Sequence, residues 1–227
     1  GRSGPLTESL PMKPPLPRLG IGVGLRTPHY RALRTEAVKV DYFEVIAENF
    51  MVPGGPPLRQ LERALALRPV VLHGVTLNLG GSDPLDFAYL RRLKQLCRLT
   101  KTPWVSDHLC WTRHSAHCYH DLLPLPYTRD TADYVAERAR IVQDYLELPL
   151  GIENLSSYLS FAGSTMSEWA FYTEVVTQAG AFLMLDVNNI FVSARNHGFS
   201  PADYLRDLPW DRVLQIHLAG HQTLPSG

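Results

Sequence analysis

Seven short apolar runs, each followed by a more polar, helix-like stretch, constrain this chain more than any other feature. The runs are IGVGL (21–25), DYFEVIA (41–47), PVVLHGV (69–75), PWVSDHL (103–109), LGIENL (150–155), FLMLDVN (182–188) and RVLQIHL (212–218). Most are rich in Val, Ile and Leu, as strands buried on both faces are. Between them, 83–100 carries an apolar stripe at Leu85, Tyr89, Leu93 and Leu96 behind the start signals Asp83 and Pro84. Segment 128–148 places Tyr134, Ala139, Val142 and Leu146 similarly. Segment 164–180 has Ser167 as a cap and Gly180 as a stop, and 200–208 opens on Ser-Pro. Alternating strand and helix predict a parallel sheet. Seven strands are one short of a (β/α)8 barrel. An incomplete barrel and an open doubly wound sheet both accommodate this pattern.

Composition narrows the class. With 227 residues, 45% of them hydrophobic, the chain can bury one sizeable core. Lys+Arg and Asp+Glu are both 22 and no basic run occurs, which argues against a nucleic-acid partner. No apolar stretch approaches the ~18 residues of a membrane span. Cys97, Cys110 and Cys118 are odd in number and form no C-x-x-C pair, so a reducing cytoplasm fits better than a disulfide framework. Residues 1–19 read as a disordered, Pro-rich leader or an expression remnant without a signal-peptide core. The barrel domain is expected over 20–227, incomplete at its C-terminal end.

The last residues of the runs are unusual. Strand two ends in Glu48-Asn49, strand three carries His73, strand four ends in Asp107-His108 and strand five in Glu153-Asn154. Strand six ends in Asp186 before Asn188-Asn189, and strand seven in His217, with His221 beyond. The steps between residues 73, 108, 153, 186 and 217 are 35, 45, 33 and 31 residues, each about one βα unit. In a barrel the C-terminal strand ends converge on one face, so these residues form a ring. Singly, each has a plain structural explanation: a hydrogen-bonded His, an Asx turn at Asp186, a loop start at Glu153. Five in succession point to a metal site, because buried unpaired groups of this kind are costly. His and carboxylate donors suit Fe, Mn or Zn, and the lack of Cys disfavours a structural zinc site. Adjacent strand residues face opposite sides, so His108 and Glu153 are taken to reach the metal, with Asp107 and Asn154 orienting them or standing as alternates. Gly22-x-Gly24 is a poor dinucleotide signal. Gly54-Gly55 among prolines reads as a loop over the site, and His114, His117 and His120 with Cys118 as a solvated His-rich loop at its mouth.

The stretches GIGVGLR, FEVIAENFM, LHGVTLNLG, VSDHLCW, HDLLPLPYT, IENLSSYL, LDVNNIFVSARNHGF and IHLAGH resemble the multinuclear non-heme iron-dependent oxidases, long grouped as a domain of unknown function. The methanobactin-biosynthesis oxidase is a member. The resemblance implies a TIM-like barrel of the xylose-isomerase-like type, lacking its last strand here. It implies two or three iron ions, Fe2+ and Fe3+, with O2 as co-substrate. The matching ligands are His73, His108, Glu153, Asp186 and His217, with Glu48, Asp107, Asn154, Asn189 and His221 as supporting polar positions. It further implies oxidation of residues, often cysteines, in a ribosomally made peptide presented by a partner protein, as in natural product biosynthesis. No protein acid or base stands out as catalytic. Two other readings stand beside it: a Zn- or Mn-dependent isomerase or phosphoesterase on the same barrel, and a non-catalytic metal- or peptide-binding scaffold.

Overall fold

A computed structural model describes residues 16–35, 38–115 and 117–220. All seven apolar runs are strands of one parallel sheet: β1 (Gly22–Gly24), β2 (Tyr42–Ile46), β3 (Val70–His73), β4 (Val105–His108), β7 (Leu150–Glu153), β8 (Phe182–Asp186) and β9 (Val213–His217). Their spatial order, β1-β2-β3-β4-β7-β8-β9, follows the chain, and every neighbouring pair is parallel. An order that never reverses is that of a barrel wall rather than a doubly wound sheet, which needs a switch point. The remaining strands, β5 (Trp111–His114) and β6 (His117–Leu123), form a separate antiparallel hairpin.

The helices α1 (Tyr30–Thr35), α2 (Pro56–Leu67), α3 (Phe87–Thr100), α4 (Arg129–Leu146), α5 (Glu168–Ala179), α6 (Val187–His197) and α7 (Pro201–Arg206) fill the intervals. Their inner faces, such as Leu61, Leu90, Leu93, Val135, Phe171 and Val175, pack with Leu72, Ile152 and Leu183 of the sheet into one core. Ser167 and Ser200 cap α5 and α7 as expected from sequence, and Gly180 ends α5 in the left-handed region.

Four expectations are corrected. Helix α3 starts at Phe87, not at Asp83-Pro84, because Asp86 Oδ1 accepts from the amides of Ala88 and Tyr89, each at 2.9 Å. The Gly-Pro loop is short and leads straight into α2, since Pro lacks only an N–H that the first turn leaves unbonded anyway. The strand run expected over 182–188 ends at Asp186, and the Asn-rich stretch after it is the first turn of α6. The His-rich loop is the β5–β6 hairpin, reversing at Ser115 with φ 54°. Of the expected leader, residues 1–15 lie outside the described residues, and so does His221. Leu16 and Leu19 pack on Tyr42, Val71 and Trp104, so the packed chain reaches back past residue 20.

A polar clamp attaches the hairpin to the barrel. Asn78, at φ 58°, accepts through Oδ1 from the amides of Thr112 (2.7 Å) and Arg113 (3.3 Å). Arg138, buried on α4, donates to the carbonyls of Leu79 (2.7 Å), Asn78 (3.1 Å) and Asp83 (2.8 Å). Replacing it by alanine removes the side-chain donor from the Leu79 and Asp83 carbonyls, leaves the Asn78 carbonyl only its bond from the Gly81 amide, and opens a void. Arg138→Ala is expected to cost about 2–4 kcal/mol in urea denaturation; a loss below ~0.5 kcal/mol would show that the clamp is not structural.

Candidate metal centre

His73, His108, Glu153, Asp186 and His217 are each the final residue of their strand. The parallel register sets His108 beside Glu153 and Asp186 beside His217. Glu153 is the hub. Its Oε2 lies 3.2 Å from Nε2 of both His73 and His108, and its Oε1 lies 3.4 Å from Nδ1 of His217. Nδ1 of His217 is also 3.8 Å from Asp186 Oδ2. The ligand atoms thus fall into two groups that share Glu153: His73–His108–Glu153 and Glu153–Asp186–His217, each with its atoms within 4.8 Å of one another.

The donor set fits a cation. Glu153 Oε2 is buried and makes no hydrogen bond. A carboxylate oxygen in that position is costly unless positive charge compensates it. Ser106 Oγ holds Nδ1 of His73 at 2.9 Å, which leaves Nε2 to face Glu153. The two groups differ in access. Side-chain exposures are 5%, 9% and 4% for His73, His108 and Glu153, against 14% and 25% for Asp186 and His217. The latter pair opens on a cleft of about 650 Å³ between the edges of β1 and β9, lined also by Glu44 and Gln215.

The supporting residues act on the backbone. Asn154 accepts from the Asp186 amide (2.8 Å) and donates to its carbonyl (3.0 Å), and Asn189 Nδ2 donates to the Asn154 carbonyl at 2.9 Å. Asp186 caps α6 through Oδ1, on the Asn189 amide at 2.7 Å, which leaves Oδ2 toward His217. Asp107 points away from the centre and accepts from the Leu77 amide (3.1 Å), while its Oδ1 stays 3.8 Å from His108 Nδ1, too far for a hydrogen bond. A Cβ at Gly74 would stand 2.4 Å from Asp107 Oδ2, so this turn requires glycine. Glu48 is not brought to the centre: its Oε1 accepts from the amides of Val75 and Thr76, the Thr76 hydroxyl and the Tyr89 hydroxyl.

Sequence reasoning missed Glu44 and Gln215. Glu44, in the middle of β2, lies 2.8 Å from His217 Nε2, and Gln215 reaches the same carboxylate. The signal available was a period of two: Gln215 precedes His217 by two residues and shares its face. The His-rich hairpin contributes no residue to either ligand group; His114 is held by Ser82 Oγ at 2.8 Å. Cys97 and Cys110 are buried, Cys118 is exposed, and all three are free.

Charges in the cluster are interdependent. Burial opposes ionisation of Glu44 and Glu153, yet both sit below their ordinary range because His217 hydrogen-bonds them and nearby imidazoles attract them. Burial and the Glu153 charge raise Asp186. Burial lowers His73. For His217 burial is outweighed by hydrogen bonds to Glu153 and Glu44, which raise it to about 10.

Fold and site together define a parallel β/α barrel protein with a ring of His and carboxylate side chains at the strand ends that could hold metal ions. The sequence profile of the RiPP precursor modification enzyme MbnB/TglH/ChrH matches residues 20–226, and the chain belongs to that family. A UPF0276 protein of Caulobacter vibrioides is 52% identical over 203 residues, covering 89% of this chain and 72% of that protein. A second, from Anaeromyxobacter, is 50% identical with the same coverage. Among solved structures, endonuclease IV from Thermus thermophilus is similar with a TM-score of 0.56 at 17% identity, covering 88% of this chain and 76% of that one. The 3-keto-D-glucoside 4-epimerase YcjR from E. coli gives 0.56 at 13% identity, covering 89% and 80%. At such identities the likeness concerns the fold alone.

The His217 shift has a sign that can be tested. A folded-state pKa near 10 against an ordinary 6.5 stabilises the metal-free protein fully below pH 6.5 and progressively less as pH rises toward about 10. Glu168, buried and raised to about 7, acts in an earlier window, between 4.5 and 7. Thermal melts of chelated protein should therefore fall from pH 7 to about 10, and His217→Gln should flatten this limb. An alkaline limb unchanged in the variant would refute the assignment.

Proposed function

We propose that this chain is an iron- and O2-dependent oxidative enzyme that modifies a residue, cysteine in our reading, of a ribosomally made peptide. The observation that carries the metal-centre part of this reading is Glu153, whose two oxygens face two separate candidate ligand groups while buried Oε2, 3.2 Å from two imidazole nitrogens, makes no hydrogen bond. His73 and His108 would hold one ion, Asp186 and His217 another, with Glu153 common to both. Bound iron would supply the electrons for O2 reduction and the Lewis acidity that favours a substrate thiolate.

The protein's own residues divide the remaining work. Ser106 keeps Nε2 of His73 directed at Glu153. Asn154 and Asn189 hold the backbone from which Asp186 projects. The sealed His73–His108 side would exclude water, and the partly exposed Asp186 and His217 would face the substrate. Tyr119 of the hairpin and Tyr158, Leu159 and Phe161 after β7 are exposed above the same sheet face and offer apolar contacts to a peptide. Presentation of that peptide by a partner protein, in the cytoplasm, belongs to the same proposal. Among the described residues no helix is long and apolar enough to cross a membrane.

Elemental mass spectrometry of anaerobically purified protein, with an iron-specific spectroscopic check, tests this reading. At least two irons per chain are expected, one for each ligand group. Glu153→Gln should lose both ions, whereas Asp186→Ala or His217→Ala should lose one. O2 uptake should depend on an added thiol peptide. Zinc or manganese alone, with no O2 uptake after iron reconstitution, would overturn the oxidase reading in favour of isomerase or hydrolase chemistry.

A further inference from the structure

A histidine can ligate through one nitrogen only when its remaining proton sits on the other, and a hydrogen-bond partner decides which. For His217 that partner can be traced three links back. Trp104, immediately before β4, is buried, and its indole N–H is a donor with no acceptor capacity. It lies 3.0 Å from Gln215 Oε1. The carbonyl end of the Gln215 amide must therefore face the indole, and its NH2 end must face away. That NH2 meets Glu44 Oε2 in a close contact. An ionised carboxylate only accepts, so the 2.8 Å contact from His217 Nε2 to the same oxygen requires a proton on Nε2. The 3.3 Å separation between Gln215 Nε2 and His217 Nε2 is then two donors converging on one acceptor. Nδ1 is left facing Glu153 and Asp186.

We propose that Trp104, Gln215 and Glu44 form a one-way hydrogen-bond relay that places the proton of His217 on Nε2 and so presents Nδ1 to the metal. The three are positioning residues, and the proposal rests on His217 being a ligand. His73 has the opposite arrangement, with Nδ1 held by Ser106 and Nε2 toward the centre. The two ligand groups are thus built from histidines of opposite handedness around one glutamate.

NMR of protein with isotope-labelled histidine nitrogens, before and after titration with NMR-active Cd2+, tests the relay. In metal-free protein, where His217 carries both ring protons at neutral pH, its Nε2 proton should exchange more slowly than its Nδ1 proton. Bound cadmium should couple to Nδ1 of His217 and to Nε2 of His73 and His108. Glu44→Ala should weaken cadmium at the His217 group by roughly 10–100-fold and leave the His73–His108 group unchanged, which also reports correct folding. Glu44→Gln keeps an acceptor oxygen and should lose less. Trp104→Phe should speed exchange of the Nε2 proton although it touches neither His217 nor metal; if that variant fails to fold, Gln215→Met cuts the next link. Coupling of cadmium to His217 Nε2, or full affinity in Glu44→Ala, would overturn the relay. Wild-type protein that binds no Cd2+ would sink the metal-centre reading instead, while the relative exchange rates of the Nε2 and Nδ1 protons in metal-free protein would still decide the relay.

Discussion

Glu153 is a carboxylate at the centre of a parallel sheet, with a side chain only 4% exposed, and the site is arranged around the cost of putting it there. Desolvation alone would protonate it. Three imidazoles face it, from His73, His108 and His217, and they keep it ionised. Two of those imidazoles have a partner on the far nitrogen, Ser106 for His73 and Glu44 for His217. Removing the hub would leave a set of buried histidines without a common counter-charge, and removing the histidines would leave a buried anion. The cluster therefore stands as a unit.

The sheet explains why so much of this unit was legible in sequence. Parallel strands that wind in order bring their C-terminal ends to one rim, so a ligand-type residue closing each run marks its own position. His73, His108, Glu153, Asp186 and His217 could be read for that reason. Glu44 could not, because a glutamate flanked by Phe43 and Val45 inside an apolar run carries no mark of which face it occupies. Only closure of the wall across the barrel interior brings β2 and β9 near enough for Glu44 to meet His217. Glu48, four residues later and at the run's end, looked the better candidate, yet the chain turns there and its carboxylate is used by the backbone of the next loop. Helices α2 and α6 were hidden for a related reason. Pro-Pro and Asn-Asn are loop signals in isolation, but prolines suit a first helical turn, and Asp186 serves at once as strand end, cap and site residue.

The same geometry makes the two halves of the site unequal. The His73–His108 half sits where neighbouring strands and Gly74 close tightly, and its polar atoms have few routes to water. The Asp186–His217 half sits beside the edge strands β1 and β9, where Ile21 and Ile216 remain exposed. An ion held in the closed half would experience a low effective dielectric and a fixed ligand field.

Barrel proteins of this shape include epimerases and an endonuclease, so the shape cannot choose among reactions. The donor set discriminates more. Three histidines, two terminal carboxylates and an inner glutamate are packed so that one carboxylate serves two groups. The chain belongs to a peptide-modifying family, so the choice among reactions comes from sequence kinship and from which strand ends carry His and carboxylate side chains, not from the outline of the barrel.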